Sequence, residues 1–320
     1  MDTQKIYSQL ISQFPDIEIH QNHPLAFYTT VKIGGPADIF IHTKTSKDFL
    51  EILKTVSILN TKYLIPNIIL GNGSNVLISD TGVRGIVIKN SSNEIELLSD
   101  NKVKISSGVQ LIFTINFLAQ HQLSGLEEFS YIPSSIGGAI YGNIHGYDHT
   151  NFSQLIESIE IFNLNTGKIE NFIPDPSQWS YDHSPLQNQS NLIIISTILK
   201  LKTGNTQDIK NKADTINKDK STKQLMNSLG CAFKNPPESV CLPIWGEKKG
   251  AGWIIDNELK LKGYSIGDAQ ISPLHANFII NNGHCSAKDY LSLVTLVQSQ
   301  MQAKFNWKFE LEIKLLGEFL

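Results

Sequence analysis

The sequence predicts an α+β chain of two or three domains, and three observations carry that reading. A small-residue loop, Gly71-Asn72-Gly73-Ser74-Asn75, lies between two apolar runs, Ile68 to Leu70 and Val76 to Ile78, and so connects strand to strand. Two short strands flank Ser99-Asp100-Asn101, a hairpin signal, and Asn163 to Gly167 reads as a turn between strands. Segments of helical spacing are mixed among these strands, and 320 residues suffice for two or three separate cores.

The loop at Gly71 to Asn75 exposes backbone N–H groups and admits a bulky anion such as a phosphate or pyrophosphate. A tight turn that needs positive φ at Gly71 and Gly73 explains the same residues equally well. A dinucleotide-binding Rossmann turn does not, because Val76 stands where a third glycine would open a helix.

Hydrophobic residues make up 41% of the chain and charged residues 18%, a globular profile. A formal net charge of −3 gives no electrostatic reason to expect nucleic acid or an anionic membrane as partner. Arg84 is the only arginine, so chemistry requiring a guanidinium has one candidate. Met1 to Gln13 has no long apolar core, and no run reaches the length of a membrane span. Cys231, Cys241 and Cys285 are odd in number and unpaired in spacing, which fits a reducing cytoplasm and gives no metal site.

In chain order, Ile6, Leu10 and Phe14 mark a helix over Lys5 to Phe14, closed by Pro15. Thr29 to Ile33 and Ala37 to Ile41 read as strands around Gly34-Gly35-Pro36. Ser46-Lys47-Asp48 reads as the cap of a helix carrying Phe49, Leu50, Leu53 and Val56. Gly85 to Lys89 continues the sheet, Val109 to His121 is helical, and Glu157 to Phe162 and Leu192 to Lys202 are strands. Gly204 to Asp219 is polar with helical tendency and is the best linker candidate. Ser286 starts a long amphipathic helix, and Phe309 to Leu316 closes the chain as an alternating strand. Boundaries follow at 1–89, 90–204 and 214–320.

Seven blocks in one order give a resemblance over residues 22 to 318: N-H-P-L-A-F-Y-T-T-V-K-I-G-G-P-A-D, L-G-N-G-S-N-V-L-I-S-D, I-P-S-S-I-G-G-A-I-Y-G-N, G-C-A-F-K-N-P, A-G-W-I-I-D, S-P-L-H-A-N-F-I-I-N and L-E-I-K-L-L-G. The chain resembles the UDP-N-acetylenolpyruvoylglucosamine reductase (MurB) family, and its short interval between the Tyr181 and Cys231 blocks resembles the shorter second type. The resemblance implies a vanillyl-alcohol-oxidase (PCMH) type FAD-binding module in two subdomains, 1–89 and 90–204. An α+β substrate-binding domain, 214–320, would follow. It implies FAD held by Gly71, Asn72, Gly73, Ser74 and Asn75 on one side and by Pro133, Ser135, Gly137, Gly138 and Asn143 on the other.

It also implies a two-stage reduction, in which NADPH gives a hydride to the flavin and the enolpyruvyl ether of a nucleotide sugar then receives it. Negative charge develops on the substrate carboxylate, and the adjacent carbon needs a proton. Cys231 stands where the family commonly has a serine proton donor; a thiol of ordinary pKa about 8.5 donates more readily than a hydroxyl. Glu312 matches the family's glutamate, with Glu310 on the same strand face as fallback. Asn235, Lys248 and Tyr181 match substrate-contacting positions.

Three departures stand out. Asp182 replaces the family's arginine, reversing the charge where an anion develops, and His183, Lys248 or Lys249 are candidate replacement cations. Ser134 and His145 stand where glycines are usual. The reading is an active cytoplasmic reductase, and a monomer needs no further assumption. An FAD-linked oxidoreductase with another substrate, or a flavin- or nucleotide-sugar-binding protein without turnover, are the alternatives.

Overall fold

The computed structural model describes residues 3–63, 65–225 and 227–319. The chain divides into two compact units, each built from discontinuous segments. The first contains 1–21, 38–72 and 85–220, and the second 22–37, 73–84 and 221–320. This differs from three consecutive domains. Residues 22–37 and 73–84 belong with the C-terminal hundred, while the rest of 1–89 and all of 90–204 fall in the first unit.

The described residues of the first unit form two larger sheets, each with its own core. One orders the strands Glu18–Pro24, Pro36–Thr43, Val83–Asn90 and Asn67–Leu70, the last two parallel with Leu70 opposite Lys89. Helix Ser46–Tyr63 covers it, burying Phe49, Ile52, Leu53 and Val56 with Ile39, Ile41, Ile86 and Ile88. The cap of this helix is Thr45, whose Oγ1 accepts the Asp48 N–H at 3.1 Å. The Ser46 hydroxyl instead donates to Glu94 on the neighbouring hairpin at 2.7 Å, which corrects the reading of Ser46 as the cap.

The second sheet is antiparallel: Lys168–Phe172, Ile156–Asn163, Leu192–Lys200, Lys102–Ser106 and Ile95–Leu97. Helices Leu111–Gln120 and Ile136–Gly142 share its core. The segment expected as a linker is helix Thr206–Ser221, with Ile209, Ala213 and Ile216 buried at helical spacing. Those two isoleucines and an alanine suffice to dock an otherwise polar helix.

In the second unit, strands Ser228–Cys231, Phe278–Asn281, Ala269–Ile271 and Ser265–Ile266 form an antiparallel sheet. Helix Ala287–Phe305 packs on it through Tyr290, Leu293, Val294 and Val297. Ser286 caps that helix in a capping box, and Asp80 accepts from the N–H groups of Ala287 (2.7 Å) and Lys288 (3.0 Å).

Two strand expectations fail in this unit. Thr29 to Ile33 is a curled loop, because the Thr29 hydroxyl donates to the Ile33 carbonyl (2.9 Å) and accepts its N–H (3.2 Å), with Lys32 at φ +59°. The closing strand is only Lys314–Leu316. Leu311 bridges antiparallel to Phe233, whereas Lys314–Leu316 pairs parallel with Val76–Ile78, so the chain bends at Glu312 and Ile313 to change partner.

Candidate functional site

The candidate residues form one group in each unit. In the first unit, the register that sets Leu70 opposite Lys89 aims the lysine at the start of the loop, where its ammonium donates to the Gly71 carbonyl. Burial lowers the Lys89 pKa to about 8. Asn72 donates its amide to the Pro133 carbonyl at 2.7 Å, tying this loop to the second one.

Gly71 is required by close approach, since a Cβ there would stand 2.5 Å from Ser135 Oγ. Ser135 caps helix Ile136–Gly142, accepting the Gly138 N–H at 3.2 Å, and the Gly137 N–H donates to the Ser107 carbonyl at 2.8 Å. Ser134 Oγ donates to the Ser135 carbonyl at 2.9 Å. Asn143 is fully buried: it donates to the Ser180 carbonyl (2.7 Å) and accepts the Ser153 N–H (3.0 Å). Its side chain therefore latches the turn carrying Tyr181 and Asp182.

That turn is closed by Ser180 and His183, which exchange backbone hydrogen bonds of 3.1 and 3.2 Å, and Asp182 sits in it at φ +52°. The imidazole that meets Asp182 is that of His145, Nδ1 to Oδ1 at 3.1 Å. His145 Nε2 lies 3.1 Å from the Tyr181 hydroxyl, and the two rings stack with centroids 4.4 Å apart. His183, one of the candidate replacement cations, contributes its backbone to the turn.

In the second unit Gly73, at φ +63°, leaves no room for a side chain: a Cβ would lie 2.0 Å from the Tyr28 carbonyl. Half-buried Ser74 follows, and Asn75 donates its amide to the Glu312 carbonyl at 3.3 Å. The Glu312 N–H donates to the Ala232 carbonyl at 3.0 Å, one residue from Cys231. Cys231 is half-buried and pairs with Phe278 across the sheet. The next residues are fixed by Asn277, which accepts the Phe233 N–H (3.1 Å) and donates to its carbonyl (2.8 Å).

Asn235 accepts the Ala251 N–H at 2.8 Å at the start of helix Ala251–Asn257. Lys248 is exposed beside Glu238 at 3.8 Å, and Lys249 lies over the Trp253 ring. Burial pushes the Cys285 thiol up to about 12, with Asp289, Asp268 and Asp80 adding to it, which keeps that sulfur an inert thiol. Arg84 donates to the carbonyls of Thr81 (2.9 Å) and Pro36 (3.3 Å), a structural role.

A flavin dinucleotide fits what the first unit offers. Gly71 and Gly138 lack the side chain that would hold a ligand off their backbone, and the Lys89 ammonium, bonded to the Gly71 carbonyl, puts positive charge at the start of the loop. Two residues escaped sequence reasoning. Lys89 is legible only through strand register, and His145 stands at a usual glycine position with nothing in the sequence to signal that it meets Asp182.

The fold and these loops define an FAD-binding oxidoreductase architecture, and comparison with known proteins agrees. Residues 37–172 match the model of an FAD binding domain, and 220–316 that of the UDP-N-acetylenolpyruvoylglucosamine reductase C-terminal domain. The chain is 34% identical to the UDP-N-acetylenolpyruvoylglucosamine reductase of Caldanaerobacter subterraneus subsp. tengcongensis, covering 94% of each. It is 32% identical to that of Clostridioides difficile over 99% of this chain and 100% of the relative. The crystal structure of the reductase (MurB) from Thermus caldophilus superposes with TM-score 0.74 at 30% identity, over 94% of this chain and 99% of that one. The chain belongs to the UDP-N-acetylenolpyruvoylglucosamine reductase family and is an FAD-dependent oxidoreductase. Among the described residues no helix is long and apolar enough to cross a membrane.

Proposed function

We propose that the chain reduces UDP-N-acetylglucosamine enolpyruvate to UDP-N-acetylmuramate in peptidoglycan precursor synthesis, with NADPH as hydride source. The observation that carries this reading is the pairing that puts the Glu312 backbone against Ala232, beside the half-buried thiol of Cys231. Bound FAD supplies the two-electron carrier between nicotinamide and substrate. Gly71, Asn72, Gly73, Ser74 and Asn75 offer the pyrophosphate its N–H groups, Lys89 adds charge, and Pro133, Ser135, Gly137, Gly138 and Asn143 supply the second loop.

Cys231 holds the proton for the carbon next to the one receiving hydride. As its S–H bond breaks and the C–H bond forms, the thiolate remains, and solvent reprotonates it before the next turnover. Glu312 supplies a second polar group at the same edge, its backbone held by Asn75 and Ala232. Asn235 and Lys248 are assigned to the nucleotide sugar. The reading takes the enzyme as a cytoplasmic monomer, which sedimentation velocity checks. Anaerobic reduction of the flavin by NADPH, then addition of the enolpyruvyl substrate, is expected to reoxidise the flavin; a flavin that stays reduced overturns the proposal.

A further inference from the structure

A buried polar cluster next to the second loop has none of the roles assigned above. Asn90 ends strand Val83–Asn90, one residue beyond Lys89, and is 3% exposed. Its amide oxygen accepts the Ser92 N–H at 3.0 Å, and its amide nitrogen donates to Ser107 Oγ at 2.9 Å. A backbone N–H only donates, so the Ser92 contact fixes which end of the amide faces Ser107. The Ser92 hydroxyl in turn accepts the Gly108 N–H at 3.2 Å. Ser92 and Ser107 are buried as well, and these contacts converge on the turn 107–109 that follows strand Lys102–Ser106. A Cβ on Gly108 would stand 2.8 Å from the Asn90 amide oxygen and 2.4 Å from the Ser92 nitrogen, so the turn is seated against both residues.

The same turn carries the second loop. The Gly137 N–H donates to the Ser107 carbonyl and the Ile136 N–H to the Val109 carbonyl, each at 2.8 Å, and the Leu111 N–H donates to the Ser134 carbonyl at 2.9 Å. The Gly138 N–H goes to Ser135 Oγ (3.2 Å) and the Ala139 N–H to the Ser135 carbonyl (2.8 Å). The leading N–H groups of helix Ile136–Gly142 are therefore spent within the protein, and the place of Ser135 is set by the turn to which the helix is bonded.

We propose that Asn90 is a positioning residue of the flavin site: by pinning the turn 107–109 it sets where Ser135 stands against Gly71. A Cβ on Gly71 would come within 2.5 Å of Ser135 Oγ, so the gap between the two loops has no slack to absorb a shift of the turn. Asn90 acts on the loops through Ser92, Ser107 and Gly108. The inference rests on the reading of Gly71 and Ser135 as flavin contacts.

The test is the FAD affinity of the holoenzyme, read as recovery of flavin fluorescence on dilution, with visible circular dichroism of the bound flavin as a second reading. Asn90→Leu keeps the size of the side chain and removes both of its hydrogen bonds. It is expected to weaken FAD binding about tenfold, the worth of one or two hydrogen bonds, and to alter the dichroism. Ser107→Ala removes only the acceptor and is expected to weaken binding about threefold; it decides the matter if Asn90→Leu fails to fold. The double variant is expected to bind no more weakly than Asn90→Leu alone, because both changes act through one contact. Ser57→Ala breaks a buried hydrogen bond to the Leu164 carbonyl in the same unit, and it is expected to keep the parent's affinity and dichroism. Parental affinity in Asn90→Leu or Ser107→Ala, an equal loss in Ser57→Ala, or strict additivity in the double variant overturns the inference. If Gly71→Ala also holds FAD as tightly as the parent, the flavin does not lie on these loops and that reading falls with it.

Discussion

Asn277 grips Phe233 by both of its backbone groups, accepting its N–H at 3.1 Å and donating to its carbonyl at 2.8 Å. A side-chain amide here replaces the neighbouring strand that Ala232 to Lys234 would otherwise need on that edge, and Cys231 is two residues away. Asn277→Leu leaves two buried backbone groups unpaired and is expected to cost about 2–4 kcal/mol, read as a lower midpoint in urea. It should also slow substrate reduction, with flavin reduction by NADPH retained.

Cys231→Ala is expected to leave the NADPH half-reaction intact and to slow reoxidation by substrate about 10²- to 10⁴-fold, the usual contribution of a positioned acid. Cys231→Ser should restore most of that loss. Stopped-flow measurement of the two half-reactions separates these outcomes, and an unchanged second half-reaction in Cys231→Ala moves the proton donor elsewhere.

Lys89 links cofactor binding to pH. Its folded-state pKa, about 8, lies below the ordinary 10.5, so between those values the unfolded chain binds more protons and stability rises with pH. Below about pH 8 the cost of burying the ammonium is fully present, on the order of 3 kcal/mol. An anionic pyrophosphate favours the charged form, so FAD binding takes up a proton and weakens above about pH 8. Lys89→Met is expected to raise the melting temperature of the apoprotein, weaken FAD binding and flatten its pH dependence, as followed by flavin fluorescence.

Gly73 and Gly230 both have positive φ, +63° and +79°, but only Gly73 is crowded. Gly230→Ala meets no atom within 4 Å and is expected to cost about 1 kcal/mol in backbone strain alone. Gly73→Ala meets the Tyr28 carbonyl at 2.0 Å and should cost distinctly more, with loss of FAD during purification as a second reading.

Local signals survived into the structure wherever neighbours in sequence supplied them. The Ser99-Asp100-Asn101 hairpin, the Ser286 cap and the strands flanking Gly71 to Asn75 depend on residues a few positions apart. Partner choice was not legible. Whether Leu311 and Leu316 extend one strand or serve two depends on Phe233 and Ile78, far away in sequence. Thr29 to Ile33 has strand composition, yet one threonine hydroxyl closes it on itself. In the site, motif position alone picked out Cys231 and Glu312, and the structure puts the Glu312 N–H on the carbonyl of the residue after Cys231. The pairing of His145 with Asp182 left no trace in either residue's own neighbourhood, because thirty-six residues separate them.

The second unit gathers 22–37, 73–84 and the segment from 221 onward. During synthesis its first two pieces leave the ribosome long before the third, and they cannot bury Val31, Ile33 and Leu77 until the sheet and long helix that cover them have been made. The first unit is largely translated by then. The nascent chain thus carries 73–84 without the rest of its own core until the last hundred residues have emerged.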